Sequence, residues 1–536
     1  MKKRIISYFL IIAIILAAGC SKAPDTNETG TNQTNQNGAS ESYPDSFAMH
    51  APMENTLIYE SDDWRYEPID ETEEYLTASE SPFKSVATSP LSTFSADVDT
   101  ASYSNMRRML YSGQLPVGTR IEELVNYFSY DYPIPLSGSE QPFSITAEIS
   151  TCPWEPTHLL AMIGIQGIEL ENTAEIANNI VFLLDVSGSM DAPNKLPLLQ
   201  ESLKLMIEKL NENDIISIVT YAGSDRVIAD SISGSNKEEL ISLIDNLYAG
   251  GSTAGARGIR TAYELAGNNF IEGGNNRIIL ATDGDFNVGE SSVDALTNLI
   301  VSERDNGIFI SVLGFGMGNL KDNMMKSIAS NGNGNYAYID TLQEAQKVLV
   351  DEFDFTMFTI AKDVKLQVEF NPETISQYRL IGYDTRRLEN EDFNNDKKDA
   401  GEIGSGHSVT VFYELVPVGA DDTQAVDSLR YSELISTGSS DFFTVKVRFK
   451  APDGDESMLT ELIVDAETIS DTQSSEFMFA SAVVEFGLII TDSNYSANAS
   501  LPSLLERAES GLGEDAFGLR AEFLDLVKLY IALTSQ

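Results

Sequence analysis

Between positions 178 and 355 short apolar runs alternate with longer stretches of helical period. Ile180-Val-Phe-Leu-Leu, residues 215–221, Arg277-Ile-Ile-Leu-Ala and residues 308–314 are near-continuous apolar runs. Residues 195–210, 238–247, 254–265 and 293–304 instead place apolar side chains three and four positions apart. Buried strands separated by amphipathic helices predict a parallel sheet covered on both faces. In such sheets ligands sit beyond the carboxyl ends of the strands. The residues that follow 184 and 280 are therefore the first place to look for chemistry.

The pattern changes on either side. In residues 85–177, helical spacing over 104–112 and 120–129 is followed by strand-like bursts at 143–149 and 159–165. In residues 356–536, β-like runs at 364–370, 408–413 and 442–449 precede helical stretches at 474–490 and 501–533. No internal repeat is present. The expected organisation is thus an α+β region (85–177), an α/β region (178–355) and a β-rich, then helical region (356–536).

The first residues predict the address. Lys2, Lys3 and Arg4 precede an apolar run, and Leu-Ala-Ala-Gly-Cys closes it at Cys20. The run is shorter than the ~20 residues a membrane span needs, so it reads as a signal peptide covering 1–19. The pentapeptide resembles a bacterial lipobox, which implies a diacylated Cys20 and an extracytoplasmic chain held on a cell membrane or outer membrane. The segment 20–84, poor in apolar residues at its start, reads as a tether followed by an acidic stretch. Cys152 is the only other cysteine, so packing without a disulfide must hold the fold. Cys152 itself reads as a small buried hydrophobe.

Charge narrows the partners. Lys+Arg 35 against Asp+Glu 82 gives a net charge of −47. A field of that sign repels phosphate backbones and argues against nucleic acid as a partner, while it favours cations and basic surfaces. A compositional habit of the source is the competing reading.

Three motifs stand where the sheet would end. Asp185-Val-Ser-Gly-Ser-Met follows the strand at 180–184, Gly250-Gly-Ser-Thr-Ala-Gly precedes a helix, and Ala281-Thr-Asp-Gly-Asp follows the strand at 277–280. A hard cation such as Mg²⁺ takes about six oxygens and keeps several waters. Asp185, Ser187 and Ser189 offer a carboxylate and two hydroxyls from one turn, Thr253 a third hydroxyl and Asp283 a second carboxylate. Hydroxyls are uncharged ligands, which would leave the ion electrophilic and open to an acidic side chain from a partner.

This set resembles the metal-ion-dependent adhesion site of von Willebrand factor type A domains. The resemblance implies a Rossmann-like fold with a central, mostly parallel sheet. It implies a divalent cation, Mg²⁺ first with Mn²⁺ or Ca²⁺ as alternatives, held by Asp185, Ser187, Ser189, Thr253 and Asp283, and metal-mediated protein binding. The stretches Leu91-Ser-Thr-Phe-Ser-Ala-Asp-Val-Asp and Arg120-Ile-Glu-Glu-Leu-Val-Asn-Tyr-Phe, with Tyr378-Arg-Leu-Ile-Gly-Tyr and Asp392-Phe-Asn-Asn-Asp, resemble the flanks of a group of bacterial lipoproteins carrying this domain.

Rival signals are weaker. The Asp392 stretch begins like an EF-hand loop, but Lys397 stands where glycine is required and Ile403 where glutamate is. Asp97 and Asp99 read as strand-end caps or a second cation site. An enzyme is disfavoured: only His50, His158 and His407 exist, and neither a Gly-x-Ser-x-Gly elbow nor a nucleotide loop appears. A structural envelope protein, whose metal site only stabilises the fold, is the remaining alternative to adhesion.

Overall fold

The computed structural model describes residues 73–75, 79–96, 98–136, 139, 141–171, 173–251, 255–284, 293–398, 400–420, 438–452, 454–465, 468–469 and 472–535. The signal peptide, Cys20, Asp97, Thr253 and Asp285 lie outside the described residues. Chain order begins with β1 (Lys84–Ser85), β2 (Leu91–Ser95), α1 (Ala101–Tyr111), α2 (Ile121–Val125), β3 (Phe143–Thr151) and β4 (Leu159–Gly167). The middle supplies β5 (Asn178–Asp185), α3 (Leu196–Lys209), β6 (Ile215–Tyr221), β7 (Asp225–Ser233), α4 (Lys237–Asp245), α5 (Gly255–Asn268), β8 (Asn275–Thr282), α6 (Val293–Asp305), β9 (Phe309–Phe315), α7 (Asp322–Asn331), β10 (Tyr336–Ile339), α8 (Leu342–Gln346) and α9 (Phe353–Met357). The chain continues through β11 (Thr359–Phe370), β12 (Ile375–Ile381), β13 (Gly401–Gly404), β14 (Ser408–Pro417), β15 (Phe443–Lys450) and β16 (Ser457–Val464). It closes with α10 (Ser475–Ile490), α11 (Leu501–Ser510) and α12 (Leu519–Thr534).

The middle elements build a six-stranded sheet in the order β10-β9-β8-β5-β6-β7. Every neighbouring pair is parallel except β6 with β7. All eight residues of β5 are buried, because helices cover both faces. On one face Leu199, Leu203 and Met206 of α3 and Leu240 and Ile244 of α4 close the core. On the other, Ile259 and Ala262 of α5, Ile300 of α6 and Met325 and Ile328 of α7 do the same. The helical period at 195–210 and the buried strand at 180–184 therefore mean what their patterns predict. The antiparallel edge β7 has no such signature: it is half exposed, its register slips against β6, and Ser231 takes a positive φ of 58°.

The flanks do not fold as separate regions. β4 pairs with β14 from Leu159↔Leu415 to Gln166↔Ser408, and β2 pairs with β11. Two sheets result, β1-β12-β14-β4-β3 and β13-β11-β15-β16 with β2 on β11. They close on one core that mixes Phe94, Ile163 and Ile165 from the first flank with Leu366, Val411 and Val447 from the second. In β15, Phe443, Val445, Val447 and Phe449 alternate with half-buried polar residues, as a strand with one core face must. The sequence expectation of an α+β flank and a β-rich flank thus resolves into one sandwich with the six-stranded domain inserted between its halves.

Helices α1, α2, α10, α11 and α12 cover the outer face of the first sheet, burying Trp154, Phe412, Phe477 and Phe523. Cys152 lies in this layer, fully buried, as expected of a small hydrophobe. The single helical stretch expected at 501–533 is split. A Cβ at Gly511 would come 2.5 Å from the Phe479 backbone nitrogen, and Gly513 and Gly518 take positive φ. The chain passes closely under α10 and turns before α12.

The inserted domain is fixed to this body by buried charge. Arg107 of α1 reaches Asp340 and, at 2.7 and 3.0 Å, Glu344 and Glu522. Arg120 pairs with Asp322 at 2.7 Å. Asp99 receives the Tyr336 N–H at 2.9 Å and the Arg386 guanidinium at 2.9 Å, which gives it a structural role. The EF-hand-like stretch begins in a 3₁₀ helix, Asn390–Asn394, that buries Phe393, and becomes a polar turn only after it: Asp396 accepts from Arg448 and Ser457, and Asp392 closes a capping box with Glu389.

Candidate metal centre

Asp185 is the last residue of β5 and Asp283 the first after β8, and these strands are parallel neighbours with Leu184 opposite Ala281. The two carboxylates therefore emerge side by side at the carboxyl edge, where an α/β sheet places its ligand site. Both are fully buried. After Asp185 the chain turns into a 3₁₀ helix, Gly188–Asp191, and the Ser187 N–H donates to Asp185 Oδ1 at 2.9 Å. That bond holds the turn so that the Ser187 and Ser189 hydroxyls lie 2.9 Å apart, Ser187 buried and Ser189 exposed.

The second motif joins through its backbone. Gly188 N–H donates to the Gly251 carbonyl at 3.1 Å, and Gly250 N–H to the Val186 carbonyl at 2.8 Å. The loop carrying the second motif thus begins against the Asp185 turn; its Thr253 is outside the described residues. Asp185, Ser187, Ser189 and Asp283 are brought together as the sequence suggests.

Electrostatics separate the two carboxylates. Asp185 makes no ion pair among the described residues; its Oδ2 accepts from the Thr282 hydroxyl at 3.2 Å. Burial pushes its pKa up to about 6, with the Asp283 charge adding and the Ser187 and Thr282 hydrogen bonds opposing. Burial also works against ionisation of Asp283, but the Lys195 ammonium at 2.9 Å outweighs it, aided by hydrogen bonds from Asn319 and Ser189. Its carboxyl is held below the usual range. Burial and the nearby Asp185 charge push the Tyr221 phenol well up.

Lys195, Thr282, Asn319 and Tyr221 were not singled out from sequence. Thr282 stands inside the third motif and was legible there. Lys195 follows Asp185 by ten positions, and nothing local marks it. It threads past Gly316, where a Cβ would come 2.3 Å from Lys195 Cε. Asn319 comes from a loop pressed on Gly284, whose φ is 100° and whose Cβ would lie 2.7 Å from the Asn319 carbonyl.

The donor set suits a hard cation: hydroxyls and two buried carboxylates, one of which, Asp185, has no cationic partner among the described residues. Among the described residues no three His, Cys, Asp or Glu side chains cluster as a metal site. An ion here therefore depends on the serine hydroxyls and on water. His158 pairs with Glu414, while His407 lies tilted against Phe355 with ring centroids 4.7 Å apart, and neither makes a hydrogen bond to these carboxylates.

Comparison with known proteins agrees with this architecture. Residues 179–352 match the von Willebrand factor type A domain, residues 69–162 a family described as von Willebrand factor, and residues 355–533 one described as "Uncharacterized protein YfbK, C-terminal". The Escherichia coli (strain K12) protein "Uncharacterized protein YfbK" is 42% identical over 499 residues, which cover 91% of this chain and 84% of that protein. Inter-alpha-trypsin inhibitor heavy chain H3 of Mesocricetus auratus is 26% identical over 167 residues, 30% of this chain and 19% of that one. A solved structure described as von Willebrand factor type A from Catenulispora acidiphila aligns over 72% of this chain and 90% of its own, with 15% identity and a TM-score of 0.40. The extent of the YfbK match, across the inserted domain and both halves of the sandwich, means that the chain belongs to the YfbK family of von Willebrand factor type A domain proteins.

Proposed function

We propose that the protein is a membrane-anchored, extracytoplasmic adhesion module that grips a protein partner through a divalent cation, Mg²⁺ by preference, and that it is not an enzyme. The observation that carries this reading is the buried Asp185 carboxylate, without a cationic partner, facing the Ser187 and Ser189 hydroxyls and the Asp283 carboxylate at one sheet edge. Asp185, Ser187, Ser189 and Asp283, with Thr253, would hold the ion. Its chemistry would be that of a Lewis acid with a coordination position left for a partner's carboxylate. Lys195 keeps Asp283 ionised and aimed, and the Ser187 N–H fixes the rotamer of Asp185. A von Willebrand factor type A domain favours protein interaction over catalysis.

The test is a pull-down from solubilised cell-envelope extract with the full chain, in Mg²⁺ and in EDTA. A partner retained only with Mg²⁺ and lost in Asp185→Ala supports adhesion. If EDTA and Asp185→Ala instead lower the thermal midpoint without removing any partner, the ion has a structural role. The anchor has its own check: fatty-acid labelling should follow the wild-type chain and vanish in Cys20→Ser, and equal labelling of both would refute it.

A further inference from the structure

At the opposite end of β8 from Asp283 lies a cavity of about 480 Å³ between the inserted domain and the sandwich. Arg277, Arg386, Arg387 and Lys398 line it, with only Asp99 and Glu402 as acids. Arg386 is paired with Asp99 and Arg387 with Asp384, which leaves Arg277 and Lys398 against Glu402, a positive balance in a chain that carries 35 Lys+Arg and 82 Asp+Glu. A positive recess in a negative molecule with low-dielectric walls concentrates anions.

Arg277 is the informative member. It is 2% exposed, yet the one hydrogen bond of its side chain within the described residues is from Nη1 to the Ser311 hydroxyl at 2.8 Å. Its Nε is buried without an acceptor, and its guanidinium sits 5.5 Å from the centroid of the Phe309 ring. The other deeply buried arginines are treated differently. Arg107, Arg120 and Arg379 each meet a carboxylate, at Glu344, Asp322 and Glu414. Glu402 acts on Arg277 only through its field, while its own oxygens accept from Asn333 at 2.7 Å and Thr359 at 2.9 Å. Burial pushes the Arg277 pKa down to about 10, so the group stays cationic at neutral pH. A buried charge without a partner costs several kcal/mol, and the structure keeps one beside a polar cavity.

We infer that this cavity is a binding site for a small oxyanion, a molecule whose carboxylate or phosphate group pairs with Arg277. A guanidinium matches both groups, since each offers two oxygens to its N–H fork. The cavity size is that of a small-molecule site. The site is separate from the metal edge: Asp283 lies six residue steps beyond Arg277 along an extended strand, a span of roughly 20 Å.

The test titrates the purified full chain with sodium phosphate and, separately, with sodium succinate, at an ionic strength held constant with NaCl. The thermal midpoint should rise saturably with at least one of them. A rise with phosphate alone points to a phosphate-bearing ligand, and one with succinate alone to a carboxylate. Arg277→Met should lose the response while unfolding at an equal or higher midpoint without anion, because an unpaired buried charge is gone. Arg277→Lys, which keeps the charge without the fork, should need about ten-fold more anion to saturate. Asp185→Ala should respond like wild type, which separates this site from the metal edge. No rise beyond the NaCl control with either anion, or an equal rise in Arg277→Met and Arg277→Lys, overturns the assignment.

Discussion

Lys195 and Asp283 illustrate how single side chains set the metal edge. Of two buried carboxylates at the same edge, one already has an ammonium at 2.9 Å and the other has none. The unpartnered Asp185 is the one pushed up to about 6, because burial penalises its charge and Asp283 adds to the penalty. His407 shows the same physics with the opposite sign. Burial, with a smaller push from the Lys347 charge, brings its pKa down to about 4. Below its ordinary value of about 6.5 the unfolded chain takes up a proton that the folded one refuses. Stability is therefore present above that pH and is lost as pH falls toward 4. Between pH 7 and pH 5 this one residue should cost about 2 kcal/mol. His407→Gln should flatten that part of the profile in urea unfolding measured at the two pH values. Parallel loss in wild type and variant would show that the ring already protonates in the folded state.

At the scale of elements, α1 is held by ion pairs as well as by its apolar face. Its Arg107 joins Asp340 after β10, Glu344 in α8 and Glu522 in α12, and is itself 1% exposed. Removing that side chain would leave Asp340 and Glu344 buried without a counter-charge, which typically costs about 3–5 kcal/mol. Arg107→Ala should accordingly lower the unfolding free energy by that amount and expose the junction of the inserted domain to limited proteolysis. A loss under about 1 kcal/mol would mean that water reaches those carboxylates. Other elements are decided by close approach. Gly511 lets α11 end under α10, and Gly316 leaves room for Lys195. Neither position announces itself in a hydrophobic pattern, since the reason for each glycine lies on a distant segment.

For the whole molecule, what was legible in the sequence follows from locality. The period of apolar residues marked α3, β5, β6 and β8, because burial on both faces makes a strand apolar throughout and burial on one face makes a helix amphipathic. The motifs at 185–189 and 281–283 placed Asp185, Ser187, Ser189 and Asp283 at strand ends, since the turn after a buried strand must surface at the carboxyl edge. The exposed edge strand β7 and the short β10 escaped notice, as neither carries enough apolar residues to show a period. Pairing between β4 and β14, the common core of the two flanks, the ammonium on Asp283 and the unpaired Arg277 beside its cavity depend on residues dozens to hundreds of positions apart. A sequence determines which faces must be buried and which turns can surface. Which distant face covers each one, and which charge is left without a partner, is settled only when the chain closes, because burial and Coulomb energies depend on distance in space.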